Sequence, residues 1–221
     1  YKNTDNKNKR YTSVTEFYHP FFNPFKKKEI AKDLVMNNYK YRNISEKELI
    51  KSWDETAIRG NKVHKEIEDN ILDNASPTDS ISVKGIDWLK KYLMKSDFTI
   101  IPEVIIYSDK LSLAGTFDLM VYDNNNDCYS LLDWKTCKKL ESKPFQGQCG
   151  IKPVTSDIPD TRYHKYTIQL AIYRYILEEE YKIENFSDMI LVHINEDTAK
   201  GLHTFYDKNL IESMLKSEGR L

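Results

Sequence analysis

The sequence has few cysteines, no long hydrophobic run and almost no net charge. Its three cysteines, Cys128, Cys137 and Cys149, cannot form a complete set of disulfides, which favours a reducing intracellular compartment, whether cytoplasmic, mitochondrial or viral. Three thiols are also too few for a four-cysteine iron–sulfur cluster, so none is expected. No apolar segment approaches the length needed to cross a membrane, and no secretory signal is recognisable, so membrane binding is not expected.

The net charge of −1 excludes a global attraction to nucleic acid. Any such contact must come from local basic patches, for which the candidates are Lys26–Lys28, Lys90–Lys91 and Lys138–Lys139. Each of these patches, taken alone, is more often a solvated surface.

Hydrophobic residues make up 40% of the sequence and charged residues 30%, which is typical of a globular protein of one well-packed domain. We expect a polar, disordered tail over residues 1–11 and a single α/β domain over residues 12–221. That domain divides into a helical front part (12–97) and a core (98–207). The sequence begins with Tyr1 rather than Met, which is compatible with further residues upstream.

Two capping boxes, Ser13 with Glu16 and Ser45 with Glu48, predict helix starts. Helices are predicted over 26–39, 45–74, 82–95 and 163–182 and at the C terminus, and residues 138–162 are predicted to form a long irregular loop. Alternating apolar residues predict strands over 99–107, 111–122, 129–135, 189–194 and 202–206.

The front part contains two apolar features that allow more than one interpretation. The long helix carries a stripe at helical spacing, formed by Trp53, Ala57, Gly60, His64, Ile67 and Ile71. The aromatic segment Phe17–Phe25 either packs the front helices onto the domain or, together with Trp53, stacks unpaired bases.

A predicted hairpin brings Asp118 and Asp133 face to face. The Asn/Asp-rich turn Asp123–Asp127 joins its strands, and a turn centred between residues 125 and 126 places residue 118 opposite residue 133. Like charges in that position destabilise a sheet unless a divalent cation lies between them. The hairpin therefore predicts a metal site.

Lys135 projects from the same strand face as Asp133 and supplies a cation beside that site. Two hard oxygen ligands and a lysine suit metal-dependent hydrolysis of a phosphodiester, since the lysine can orient the attacking water or stabilise developing charge. An Asp-x-Lys sequence is weak by itself, because two exposed acids and a surface lysine form ordinary ion pairs just as readily.

Three further positions are candidates for the same site. His64 is either a core histidine or a metal ligand, and Gly60, one turn earlier, lets its helix approach the sheet closely. Glu103 is either an edge residue facing water or an outer or second-metal ligand. Gln169 and Tyr173 lie one turn apart on a helix, where they either pack or hold the lysine or a phosphate.

Four motifs occur in an order that resembles the RecB-type nucleases of the PD-(D/E)XK superfamily. They are Gly60-x-x-x-His64, Gly115-x-x-Asp118, Asp133-Trp134-Lys135-Thr136 and Gln169-x-x-x-Tyr173. The resemblance spans roughly residues 12–195, and four ordered motifs are far more specific than any one of them. In addition, Ser13-Val14-Thr15 resembles the opening motif of the mitochondrial genome maintenance exonuclease branch, which acts on single-stranded DNA ends.

The resemblance implies a restriction-endonuclease-like core, in which a central mixed sheet is flanked by helices, with an N-terminal helical elaboration. It further implies that one or two Mg²⁺ or Mn²⁺ ions are bound by His64, Asp118, Asp133 and the backbone carbonyl of Trp134. Lys135 would be the catalytic lysine, Gln169 and Tyr173 would support that lysine and the substrate, and Ser13 and Thr15 would lie near the DNA path.

The sequence thus predicts a metal-dependent DNA exonuclease that prefers single-stranded ends, with replication or recombination proteins as candidate partners. A structure-specific endonuclease with the same site and a catalytically inactive nucleic-acid-binding module are the alternatives. Helicase motifs are absent, so a motor would have to be a separate chain or a further segment.

Overall fold

The computed structural model describes residues 10–221, which form one mixed sheet with helices on both faces. The strands are β1 (Thr12–Ser13), β2 (Phe98–Ser108), β3 (Leu113–Asp123), β4 (Cys128–Lys135), β5 (Phe186–Ile194) and β6 (Ala199–His203). The helices are α1 (Val14–Tyr18), α2 (Lys27–Asn37), α3 (Glu46–Asp73), α4 (Ser80–Leu93), α5 (Arg162–Glu179) and α6 (Lys208–Ser217). The predicted mixed sheet flanked by helices is confirmed.

Most of the predicted tail, residues 1–9, lies outside the described residues. Tyr11 also falls in that predicted tail but belongs to the described fold, where it is buried and donates a hydrogen bond to Asp109 (2.6 Å). The capping box of Ser45 and Glu48 is formed at the start of α3, and Ser13 accepts a hydrogen bond from the Glu16 amide at the start of α1. Both predicted helix starts are confirmed.

The hairpin of β3 and β4 folds about the predicted turn. Asp123 Oδ1 accepts hydrogen bonds from the amides of Asn125 (3.0 Å) and Asn126 (3.2 Å), which fixes the turn locally. The paired residues run from Asp123 opposite Cys128 to Leu119 opposite Leu132. The next position of this register is residue 118 opposite residue 133.

Strand β3 changes partners along one of its edges. Strand β2 covers the other edge over almost the whole length of β3, while β4 pairs with residues 119–123 and β1 pairs in parallel with residues 113–114. Among the described residues, positions 115–118 of β3 have no strand pair on the edge shared by β4 and β1. The sheet therefore opens at Asp118, at the point where β4 leaves β3.

Two hydrophobic cores fix this opening between the helical layers. Helices α1, α5 and α6 pack on one face around residues such as Phe117, Leu131 and Ile172. Helices α3 and α4 pack on the opposite face around residues such as Val63 and Trp134. Side chains on either face of β4 are thereby held in place.

The aromatic front segment divides between the core and the surface. Phe17, Tyr18, Phe21 and Phe22 are each at most 4% exposed and belong to the core on the α5 face, so packing is the interpretation that holds for them. Phe25 is 63% exposed instead.

The predicted loop over 138–162 contains two short 3₁₀ turns and is tied to the front segment. The amide of Ile151 and the hydroxyl of buried Thr155 both donate to the Phe21 carbonyl (2.8 and 3.1 Å), and Asp160 accepts hydrogen bonds from Asn23.

Within residues 10–221, no helix combines the length and the hydrophobicity required to span a bilayer.

Candidate active site

The site is built where β3 and β4 diverge. Residues 102 and 104 of β2 pair with residues 119 and 117 of β3, so residue 103 lies at the level of residue 118. Glu103, Asp118 and Asp133 consequently share one row across three adjacent strands. Glu103 has a φ of 48°, a left-handed conformation that costs energy for any residue except glycine, and such strain often occurs at functional sites.

Helix α3 brings His64 to this row. Gly60 allows the approach, because a Cβ at that position would lie 2.7 Å from the Thr136 hydroxyl just beyond β4. One turn later, His64 Nδ1 lies 3.0 Å from Asp118 Oδ1. The predicted convergence of the α3 histidine on the hairpin carboxylate is seen in the structure, although a role in metal binding stays a prediction.

The two hairpin carboxylates have different partners. Asp118 Oδ2 accepts a hydrogen bond from the Trp134 amide (2.6 Å), and the side chain of Trp134 is buried on the α3/α4 face. Asp133 is 4% exposed, and its Oδ2 is in ion-pair contact with the Lys135 ammonium. That oxygen has no hydrogen bond of regular geometry within the described part of the chain. Asp133 is therefore paired with a cation of the same strand, and Asp118 with an imidazole that becomes a cation when it is protonated.

Burial and mutual repulsion separate the pKa values of the two acids. Burial raises the pKa of Asp133 to about 6, with Lys135 opposing the rise and Asp118 adding to it. Burial also acts to raise the pKa of Asp118, but His64 and Lys135 outweigh it and the pKa is lowered. Burial acts to lower the pKa of His64, yet Asp118 outweighs this effect and the pKa is raised. An Asp118–imidazolium pair is the arrangement that these shifts favour.

A ready-made metal site is not present in this arrangement. Within residues 10–221, no three His, Cys, Asp or Glu side chains are grouped so that they could hold an ion as they stand. Lys135 is in contact with Asp133, so its ammonium lies beside a carboxylate that a metal ion would have to bind. The donor set itself, the buried Asp133 carboxylate, the partly exposed Asp118 carboxylate and an imidazole, suits a small divalent ion once the internal cations give way.

A second hydrogen-bonded group lies beside the opening of the sheet. Gln169 Nε2 donates to the hydroxyls of Thr15 (3.0 Å) and Tyr173 (3.3 Å), which joins α5 to α1. Tyr173 packs against Gly115, where a Cβ would lie 2.5 Å from the tyrosine ring. Of the two candidates from the opening motif, Thr15 is thus part of this group, whereas Ser13 uses its hydroxyl to cap α1.

Tyr166 was missed from the sequence, although it contacts Lys135 directly. The Lys135 Nζ lies 4.2 Å from the centre of the Tyr166 ring, a cation–π contact. Tyr166 is three residues before Gln169 and so on the same side of α5, a spacing that could have indicated it. From the sequence, however, Tyr166 resembles a core residue, because it lies at helical spacing with the apolar residues Leu170 and Leu177 of α5.

The acidic surroundings of the site extend to Glu68, one turn beyond His64 on α3. One open pocket is lined by His64, Lys65, Glu68, Glu103 and Asp118, among others. Burial, followed by Asp118 and Glu68, raises the pKa of Glu103 to about 6, while His64 and Lys65 oppose the rise. Glu103 is therefore held among like charges at the edge of the site.

A larger cavity lies near the hairpin turn, at the opposite end of β3 and β4. Trp88, Tyr92 and Phe98 form a stack in its wall, with successive ring centres 5.3 Å apart. Both faces of the Tyr92 ring are thus covered, and the histidine and lysine of the hairpin site do not reach this cavity.

No protein-family model matches the chain, and a search of curated proteins finds no match either. Two crystal structures are similar to it at 14% sequence identity. One is SSO0001, with a TM-score of 0.44 over 97% of this chain and 76% of that one. The other is a candidate exonuclease from Eubacterium rectale, with a TM-score of 0.41 over 98% of this chain and 82% of that one. Neither likeness assigns this chain to a family.

The raised pKa of Glu103 leads to a prediction about stability. The ionised carboxylate destabilises the fold, so Glu103→Gln should raise the free energy of unfolding at neutral pH, by at most about 1 kcal/mol because the group is partly exposed to solvent. The gain should shrink as the pH falls through about 6 and vanish below the ordinary value of 4.5. Urea unfolding in the presence of EDTA measures it. An equal gain at every pH, or the same gain for the exposed control Glu184→Gln, would contradict this assignment.

Proposed function

We propose that this protein is a divalent-metal-dependent deoxyribonuclease of the RecB type in the PD-(D/E)XK superfamily, acting as an exonuclease on DNA with single-stranded ends. The observation that supports it best is the row of Glu103, Asp118 and Asp133 at the opening of the sheet, with Lys135 and His64 directed at it. A close pair of carboxylates, one buried and the other largely so, is costly to maintain and serves no purpose in packing.

In this proposal, Asp118, Asp133 and His64, with the Trp134 carbonyl, hold Mg²⁺ or Mn²⁺, and Glu103 is an outer ligand or the ligand of a second ion. When bound, the ion supplies Lewis-acid chemistry, by acidifying a water and neutralising charge on the phosphate. Asp118 and Asp133 would hold the ion where β4 leaves β3. His64 and Lys135 offset the repulsion between Asp118 and Asp133, so that the two acids can lie close together in the folded protein.

Lys135 places a positive charge at the scissile phosphate. Its ammonium is held between the Asp133 carboxylate and the face of the Tyr166 ring, which restricts its position. Lys135 would orient the attacking water or stabilise the transition state once its ammonium is no longer paired with Asp133. Tyr166 then remains as the contact that keeps the ammonium in reach.

The substrate end is proposed to contact the group formed by Thr15, Gln169 and Tyr173, with Ser13 nearby. These residues lie beside β3 between its pairings with β1 and β4, and a strand end is proposed to approach the carboxylates there. Hydroxyl and amide donors position a phosphodiester without reading its sequence. This suits an enzyme that degrades DNA regardless of base order.

Digestion of end-labelled single-stranded, duplex and circular DNA with Mg²⁺ or Mn²⁺ tests the function. The expected result is metal-dependent shortening of linear single strands, with circular DNA left intact, and a complete loss in Asp133→Asn. The variant should remain folded, because its substitution removes one of two facing charges. Cleavage of circles would favour a structure-specific endonuclease, binding without cleavage would favour an inactive module, and full activity in Asp133→Asn would refute the site.

Tyr166 provides a more specific prediction about positioning. Tyr166→Phe keeps the ring under Lys135 and should retain activity, whereas Tyr166→Leu should lower kcat about tenfold, since a desolvated cation–π contact contributes about 1–2 kcal/mol. Steady-state kinetics should show the loss in kcat with little change in KM. Equal losses in both variants, or a loss confined to KM, would argue against the positioning role.

A further inference from the structure

Residues 24–59 form an arm on the front of the domain, consisting of α2 and the N-terminal half of α3. Within α2, Ala31 is the residue that is buried, and in α3 the buried residues are Leu49, Gly60, Val63 and Ile67. Positions 51–59 of α3 are exposed apart from Trp53, which is half-buried. The α3 stripe predicted from the sequence is therefore packed only in its second half, and its first half continues over open surface towards His64.

The arm concentrates positive charge in a protein that is slightly acidic overall. Residues 24–59 contain nine basic and six acidic residues, a net charge of +3, and the excess lies in residues 24–44, which contain six basic and two acidic residues. Lys26 and Lys27 form ion pairs with Glu29 and Asp54. Within residues 24–44, four further cations form no ion pair with any described residue: Lys28, Lys32, Lys40 and Arg42. A polyanion can therefore bind them without first breaking an existing pair.

Large apolar side chains are exposed among these cations. Phe25 is 63% exposed and its ring centre lies 5.6 Å from that of Trp53, while Tyr39 is 83% and Met36 is 69% exposed. On α2, Lys28, Lys32 and Met36 follow each other at intervals of four, which places them on one face. Exposed rings interleaved with free cations form a surface on which bases stack while phosphates pair with lysines.

The arm is also aligned with the candidate active site. Trp53 and His64 belong to the same stripe of α3 and are eleven residues apart, which corresponds to about 16 Å along a helix. Of the stripe positions between them, Ala57 is exposed, whereas Gly60 is buried against Thr136 just beyond β4. The exposed part of the stripe therefore ends beside the strand that carries Asp133 and Lys135.

From these observations we propose that the α2–α3 arm is a binding surface for single-stranded DNA, which holds the substrate through Lys28, Lys32, Lys40 and Arg42 and through stacking on Phe25 and Tyr39. The ligand class follows from the proposed nuclease function, on which this inference rests. A duplex hides the faces of its bases within the stack, so the exposed rings favour a single strand. The arm thus binds the DNA at a distance from the phosphodiester that is cleaved.

Fluorescence anisotropy with a labelled single-stranded oligonucleotide in EDTA tests the arm without cleavage. Phe25→Ala/Tyr39→Ala should weaken binding about fivefold or more for each stacked base. Lys28→Gln/Lys32→Gln should weaken binding and lower the slope of log affinity against log salt by about 1.4, or about 0.7 for each phosphate that is no longer neutralised. The matched control Lys90→Gln/Lys91→Gln removes two exposed helix lysines on α4 and should change neither quantity.

Digestion under Mn²⁺ separates failure of the arm from failure of the proposed function. The arm variants should raise KM and leave kcat unchanged, with melting temperatures equal to that of the unaltered protein. Cleavage with normal KM, or lysine losses matched by the α4 control, would overturn the arm. Binding through the arm with no metal-dependent cleavage would overturn the nuclease and leave the arm standing. No binding of single strands by the unaltered protein, or tighter binding of duplex, would also overturn the proposal.

Discussion

Two carboxylates at the same level of adjacent strands, Asp133 buried and Asp118 largely so, are the constraint on which this structure depends. Asp118 and Asp133 occupy the position where the β3–β4 ladder stops, and their repulsion would be expensive inside a continuous sheet. The fold accommodates the two carboxylates because β4 leaves β3 at this point, and β1 takes over the same edge of β3 at residues 113–114. The opening in the sheet and the site are therefore the same feature.

The remaining elements of the site compensate the charge that this opening creates. Lys135 balances Asp133 from the same strand, and His64 balances Asp118 from α3. Gly60 allows α3 to approach closely enough for the His64 contact, and Gly115 leaves room for the Tyr173 ring. Strain remains in Glu103, whose backbone is left-handed and whose pKa is raised. A left-handed backbone and facing like charges are each unfavourable, and their occurrence in one row indicates a constraint from function rather than from packing.

Local signals in the sequence predicted much of this arrangement. The Asn/Asp turn fixed the hairpin register, and therefore the pairing level of Asp118 and Asp133, because alternation and turn length leave few alternatives. The capping box of Ser45 set the start of α3, and the helical period then carried His64 to the correct face. Both inferences depend on residues close together in the chain.

Contacts between distant segments were less accessible from the sequence. The pairing of β1 with β3 joins residues about a hundred positions apart and involves too few residues to leave a pattern. Tyr166 and the buried front aromatics are equally hydrophobic. The sequence therefore could not distinguish an aromatic ring that contacts Lys135 from one that only packs in the core. The α3 stripe was regular throughout, yet only its second half is covered, because periodicity reports a face and not what lies on it.

Binding of Mn²⁺ measured by isothermal titration calorimetry tests the central claim most directly, namely that internal cations hold a carboxylate pair that a metal ion can take over. Lys135→Met should bind Mn²⁺ more tightly than the unaltered protein, because the competing ammonium is gone. Asp118→Asn should lose binding by more than the roughly 10–100-fold that outer partners of a ligand contribute. Unchanged Mn²⁺ affinity in both variants would contradict the account.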